Sequence, residues 1–191
     1  MRVVKDPEVR KKEILTGAIQ VFTKKGYDKT TINDIAKELG ISQGLCYRYY
    51  ASKEEIYDTA LEDYSDFIVN SNLQRFKNDE RTFKEKIRDF SGHMQEYQNP
   101  ESDKELLYEL FHGQNSKKMH DQLMMKTASK LVPHIKNELQ IAKDNGEIQI
   151  SDVDAFAYFF VYGQVGMLLN QTPSKECDVR IQDLLMELLQ L

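Results

Sequence analysis

Apolar residues recur along this chain at spacings of three and four, the period of helices buried on one face. Ile14, Ala18, Val21 and Phe22 make the first stripe. Asp6 and Pro7 precede it as N-cap and first helical residue, and Lys24-Lys25-Gly26 close it with positive charge at the negative end of the helix dipole. A second stripe is Ile32, Ile35, Ala36 and Leu39, opened by the Thr31/Asp34 capping box and ended by Gly40. Ser42 caps a short third helix that runs to Tyr50. Ser52 and Glu55 box the start of a longer fourth, from Lys53 to about Phe76, with Ile56, Ala60, Tyr64, Phe67 and Ile68 inward.

The same period continues to the end. Thr82 and Glu85 open a stripe of Phe83, Ile87, Phe90, Met94 and Tyr97, which Asn99-Pro100 breaks. Ser102 and Glu105 open Leu106, Leu107, Leu110 and Phe111. A long helix is expected from Lys117 to Asp144, with a kink or break at Pro133 and a stop at Asn145-Gly146. Ser151 and Asp154 box an eighth helix to about Asn170, and a ninth carries Ile181, Leu184, Leu185, Leu188 and Leu189. Glu147 to Ile150 is the sole candidate strand, and it is very short. The pattern predicts an all-α chain of about nine helices, divided into a head, residues 1–52, and a helical body, residues 53–191.

Composition narrows the class. With 191 residues, 40% hydrophobic and 30% charged, the chain can bury a real core and is not of disordered type. The most apolar run, Ala155 to Leu169, is interrupted by Gly163, Gln164 and Gly166 and is too short for an ordinary membrane span. The N-terminus lacks the apolar centre of a signal peptide, and Cys46 and Cys177 have no framework spacing, so a cytoplasmic location is expected. The net charge of −5 hides an asymmetry: residues 1–55 carry 11 basic and 8 acidic side chains, and the remainder 15 and 23. Local basic surface, not whole-chain charge, governs nucleic-acid affinity.

Two short helices joined at Gly40-Ile41 have the form of a helix-turn-helix, with three head helices making one small core. The stretch resembles the N-terminal domain of the tetracycline-repressor (TetR) family. It matches that pattern at Thr30, Thr31, Ile32, Asp34, Ile35, Ala36, Gly40, Ile41, Ser42, Gly44, Tyr47, Tyr49, Ser52, Lys53 and Glu54. It departs at Leu45, Cys46 and Tyr50, where the family has threonine, leucine and phenylalanine. Motif-level resemblance covers Asp6 to Tyr64. Cys46 takes the place of a buried leucine, which implies an inert thiol.

The resemblance implies that the third helix enters a DNA major groove. Gln43 can pair with adenine, and Leu45 can touch a thymine methyl. Gly44 lets the helix approach closely. Tyr47 and Tyr49 can donate to phosphates, Lys53 adds charge at a helix start, and by resemblance Thr30 or Thr31 also reaches phosphate. With Ser42 and Arg48 these complete the candidate DNA contacts. Thr31 could equally serve as a cap alone.

In the body, aromatic, Met and hydroxyl-bearing residues suggest a pocket for an apolar or aromatic effector, with Tyr108, Phe111, His112, Met119, Met124, Tyr158 and Tyr162 as candidate lining. An ordinary helical core accounts for them as well. Phe156, Phe159, Phe160, Gly163 and Met167 share a face of the eighth helix, and Leu184, Leu185 and Leu188 stripe the ninth. These suit a two-fold homodimer interface. His112, His120 and Asp121 match no standard metal spacing, no catalytic constellation stands out, and no cofactor, metal or membrane partner is expected. The function implied is a ligand-responsive repressor on a palindromic operator. A helical interaction protein or DNA-bound scaffold without effector is the alternative, and an enzyme a distant third.

Overall fold

A computed structural model describes residues 5–74, 81–90, 102–113, 116–170 and 175–191. Its elements are α1 (Pro7–Lys25), α2 (Ile32–Glu38), α3 (Gln43–Tyr49), α4 (Lys53–Gln74), α5 (Phe83–Phe90), α6 (Ser102–His112), α7 (Lys117–Asp144), α8 (Val153–Asn170) and α9 (Lys175–Leu188). Among the described residues there is no strand. Glu147 to Ile150 is loop, with Ile148 buried. Phe76, Met94, Tyr97 and the side chain of Ser102 lie outside what is described.

Chain contacts divide the molecule into two units. The first holds the described residues up to Tyr64 and those from Ser102 to His120; the second holds the remainder. In the first unit α1 packs against α2 and α6, and α2 against α3. Ile14, Ala18, Phe22, Ile35, Cys46, Tyr50, Ile56, Ala60, Tyr64 and Phe111 are almost wholly buried there. The approach of α1 to Leu39 is close: a Cβ on Gly17 would lie 2.5 Å from a Leu39 methyl, so no larger residue fits without moving it. Asp6 caps α1 by accepting from the Glu8 amide at 2.9 Å. At the other end of α2, Gly40 has φ +62°, and the Gly40 and Ile41 amides donate to the Lys37 and Ala36 carbonyls. That is the paired bonding of a glycine-ended helix, and it sets the turn into α3.

The second unit has two apolar clusters. The larger gathers Ile87, Leu139, Ala142, Ile148, Val153, Ala157, Ile181, Leu185 and Leu189. The smaller is Ala128, Val132, Val161 and Val165. Ile135 and Phe160 pack against both. The α5 start is boxed by Thr82 and Glu85, and the Phe83 amide donates to Glu147 at 2.7 Å, which anchors α5 beside the loop after α7.

One local expectation is corrected. The cap of α8 is Asp152, whose carboxylate accepts from the Ala155 amide at 2.9 Å; Ser151 lies one residue outside. Of the kink or break expected at Pro133, a break is absent: α7 runs through it. Pro133 and Ser129 are both exposed, so the Ser129 carbonyl that loses its helical donor can turn to water.

Candidate nucleic-acid interface

α3 is held by its ends and by two inward side chains. The Ser42 hydroxyl accepts from the Leu45 amide at 3.2 Å. Cys46 is fully buried, and that burial pushes its thiol above the ordinary range, as an inert core group requires. Tyr50 is buried too, and its hydroxyl donates to the Lys11 carbonyl of α1 at 3.3 Å. A tyrosine is therefore tolerated at a core position because its one polar atom finds a partner.

With those two side chains turned inward, the opposite surface of α3 is free. Gln43, Gly44 and Arg48 are exposed, Tyr47 is 50% exposed, and Leu45 and Tyr49 are half-buried. A Cβ added to Gly44 would meet nothing within 4 Å, so no neighbour in this chain demands a glycine there.

The threonines and Lys53 are occupied differently. Thr30 is 2% exposed and its hydroxyl donates to the Gly26 carbonyl at 2.8 Å, so its side chain closes the α1–α2 loop and offers nothing outward. Thr31 is exposed, yet its hydroxyl accepts from the Asp34 amide and donates to the Asp34 carboxylate. Lys25 pairs with that carboxylate at 2.7 Å and, with Thr31, holds it well below the usual range. The Lys53 ammonium donates to the Tyr27 carbonyl at 2.9 Å and sits 4.3 Å from the Tyr27 ring centre, a cation–π contact. Sequence reasoning missed Tyr27 as the seat of this lysine; an aromatic 26 residues upstream carries no local signal. Burial, reinforced by the charge of Glu54, pushes the Tyr27 hydroxyl up to about 12.

Residues 14–60 match the tetR family of bacterial regulatory proteins. The biofilm operon icaADBC HTH-type negative transcriptional regulator IcaR of Staphylococcus epidermidis is 38% identical over 60 residues, 31% of this chain and 32% of IcaR. Its Staphylococcus aureus counterpart matches at the same level over the same length. That stretch of the chain is a TetR-family N-terminal domain. The matched stretch spans about a third of those relatives. Over nearly the whole length the fold is similar to Salmonella enterica GusR, with TM-score 0.65 and 15% identity across 98% of this chain and 99% of that one. A TetR-family transcriptional regulator from Pectobacterium atrosepticum is similar too, with TM-score 0.60 and 15% identity across 96% and 93%.

The seven residues expected to line a ligand pocket divide between the two units. Tyr108, Phe111, His112 and Met119 lie in the first unit; Met124, Tyr158 and Tyr162 lie in the second. Phe111 stacks on Tyr64, Tyr108 stacks on His112, and His112 meets His120 edge to face. The aromatic rings around His112 strip water from it, and with the charge of His120 they push it down to about 4. Met124 and Tyr162 pack on the Ala128 cluster, and Tyr158 is largely exposed. None of the seven lines the apolar cavity of the second unit, about 50 Å³, which is formed by residues of α4, α5, α7, α8 and α9.

Of the residues expected at a dimer interface, Phe159 is 68% exposed, and Leu184 and Leu188 are exposed on α9. Gly163 is exposed, Phe156, Phe160 and Met167 are half-buried, and Leu185 is buried in the larger cluster. Among the described residues no helix is long and apolar enough to cross a membrane, and no group of three or more His, Cys, Asp or Glu is placed to hold a metal.

Proposed function

We propose that this protein is a transcriptional repressor that binds a palindromic DNA operator as a homodimer and is released by a small, mostly apolar or aromatic molecule held in its body. The observation that carries the reading is the outward surface of α3. Gln43, Gly44, Tyr47 and Arg48 are exposed together on a helix fixed by the buried Cys46 and Tyr50, in a stretch 38% identical to a negative transcriptional regulator. Gln43 offers an amide fork for adenine, Arg48 and Tyr47 reach phosphate, and Gly44 keeps the helix backbone close to the groove floor.

The dimer is supported by α8 and α9. A glycine inside a helix costs about 1 kcal/mol relative to alanine. Gly163 and Gly166 are exposed on α8 with nothing of this chain within 4 Å of an added Cβ. Beside them Tyr158 and Phe159 expose large rings, and Leu184 and Leu188 expose aliphatic side chains on α9. A second copy laid against this face removes the rings from water, and the glycines allow close approach.

The test is selection of binding sites from a random duplex library, followed by titration of the selected sequence. Enriched sites are expected to be palindromes, and Gln43→Ala is expected to lower discrimination against random DNA by about 1–3 kcal/mol. Enrichment of no sequence, or discrimination unchanged by Gln43→Ala, argues against base reading by α3.

A further inference from the structure

The cavity in the second unit has a chemistry that names its ligand. Its wall is apolar: Leu73, Phe83, Ile87, Leu131, Ile135 and Phe160. At its edge Lys86 of α5 pairs with Glu138 of α7 at 2.9 Å, the two side chains only 17% and 28% exposed. The exposed His134, one turn before Glu138, marks the mouth. A half-buried ion pair beside an apolar hole is a poor choice for stability alone, because desolvation offsets most of the attraction. It is a good choice for a site in which an incoming charge replaces one partner.

We propose, resting on the regulatory reading above, that this cavity takes a small monocarboxylate with an aliphatic body, whose carboxylate replaces Glu138 on the Lys86 ammonium. The sign follows from the two exposures. Glu138 is the more exposed partner and can turn to water when displaced. Lys86 is the more enclosed, and a cationic ligand would have to strand it. At about 50 Å³ the cavity as it stands has room for one or two waters, at roughly 30 Å³ each, or for the first carbons of a chain. A longer chain has to widen it. Ile135 and Phe160, two of its wall residues, pack against both apolar clusters, so a shift of either side chain opens space toward both. One turn beyond Leu131 and Phe160 stand Thr127 and Gln164, whose Oγ1 and Nε2 are buried without hydrogen-bond partners. Unmade polar bonds of this kind are costly, and they mark where the α7–α8 packing has most to gain by rearranging around a ligand.

The experiment uses the full-length protein and three probes of one length: hexanoate, hexan-1-ol and hexylamine, measured by calorimetry. Hexanoate is expected to bind at least tenfold more tightly than hexanol, and hexylamine more weakly than either. Lys86→Met should bring the hexanoate-to-hexanol ratio to about one, while Glu138→Gln, which removes the competitor, should raise it. Ile135→Trp should fill the space and abolish both. Thermal melts check that each variant is folded. A preference for hexylamine, a ratio that Lys86→Met and Glu138→Gln leave unchanged, or no binding by any acid from butanoate to decanoate overturns the proposal. Operator titration with and without hexanoate reads the regulatory role separately: a carboxylate bound with equal affinity in both supports the site and overturns its role as a switch.

Discussion

Single side chains in the head divide into those that build and those that face outward, and the sequence alone does not sort them. Thr30, Thr31 and Lys53 carry the right chemistry for phosphate, but each is engaged inside the chain: the Thr30 hydroxyl donates to the Gly26 carbonyl, the Thr31 hydroxyl to Asp34, and the Lys53 ammonium, by one of its three donors, to Tyr27. Lys53→Ala is therefore expected to lower the melting temperature of the protein and to leave the salt dependence of DNA binding nearly unchanged. Arg48→Ala should do the reverse, reducing the salt slope by about one phosphate contact. Gly44→Ala should keep or raise thermal stability, since alanine is the better helix former and open space surrounds the position, while weakening operator binding. A drop in melting temperature for Gly44→Ala would assign the glycine to folding instead.

Titration also acts at this scale. His112 is pushed down to about 4 from an ordinary 6.5, so its neutral form is the one the fold favours. A depressed histidine contributes stability in full above pH 6.5 and loses it progressively as pH falls toward 4, because the unfolded chain takes up the proton first. Asp34 and Glu85 are depressed by their cap partners and, for Asp34, by Lys25. Their contribution is complete at neutral pH and is lost only below the ordinary carboxylate range. The melting temperature is expected to fall between pH 6.5 and 4, and His112→Gln should flatten that part of the curve. An unchanged slope in the variant would show that His112 does not carry it.

Helices were the most legible elements because their ends are chemically marked. Asp6-Pro7, Thr31/Asp34, Ser42 and Thr82/Glu85 do at atomic distance what their spacing implies. The misplacement at α8 has a simple cause: Ser151 and Asp152 are adjacent acceptors, and nothing local says which one the first turn selects. Asp152→Ala should cost about 1 kcal/mol of stability and Ser151→Ala close to nothing, by thermal or urea melts. Pro133 left two outcomes open. Proline reports a lost donor, but whether a helix breaks depends on what serves the freed carbonyl, and the exposed side of α7 leaves that to water. What the aromatic and Met residues of the body pack against was not legible. Aromatic and Met residues at helical spacing look alike whether they stack on each other, as Tyr64 and Phe111 do, or pack around Ala128, as Met124 and Tyr162 do. The Lys86–Glu138 pair joins residues 52 positions apart, beyond any pattern along the chain.

For the whole molecule the proposed state is a dimer whose two heads meet successive half-sites of one operator. Phe159→Glu places a charge on the most exposed large apolar side chain of α8 and should yield a folded monomer by light scattering, with operator affinity lost through the missing second head. A dimer that survives this change would move the interface elsewhere. The central claim is that the exposed face of α3 reads DNA, and one titration tests it most directly. A labelled duplex carrying the selected site is titrated at fixed salt with the wild-type protein and with the Gln43→Ala/Tyr47→Phe/Arg48→Ala triple variant, after melts have shown equal folding. Loss of at least a hundredfold in affinity by the triple variant, about 2.7 kcal/mol, is the expected result; equal affinity for the two proteins would contradict it.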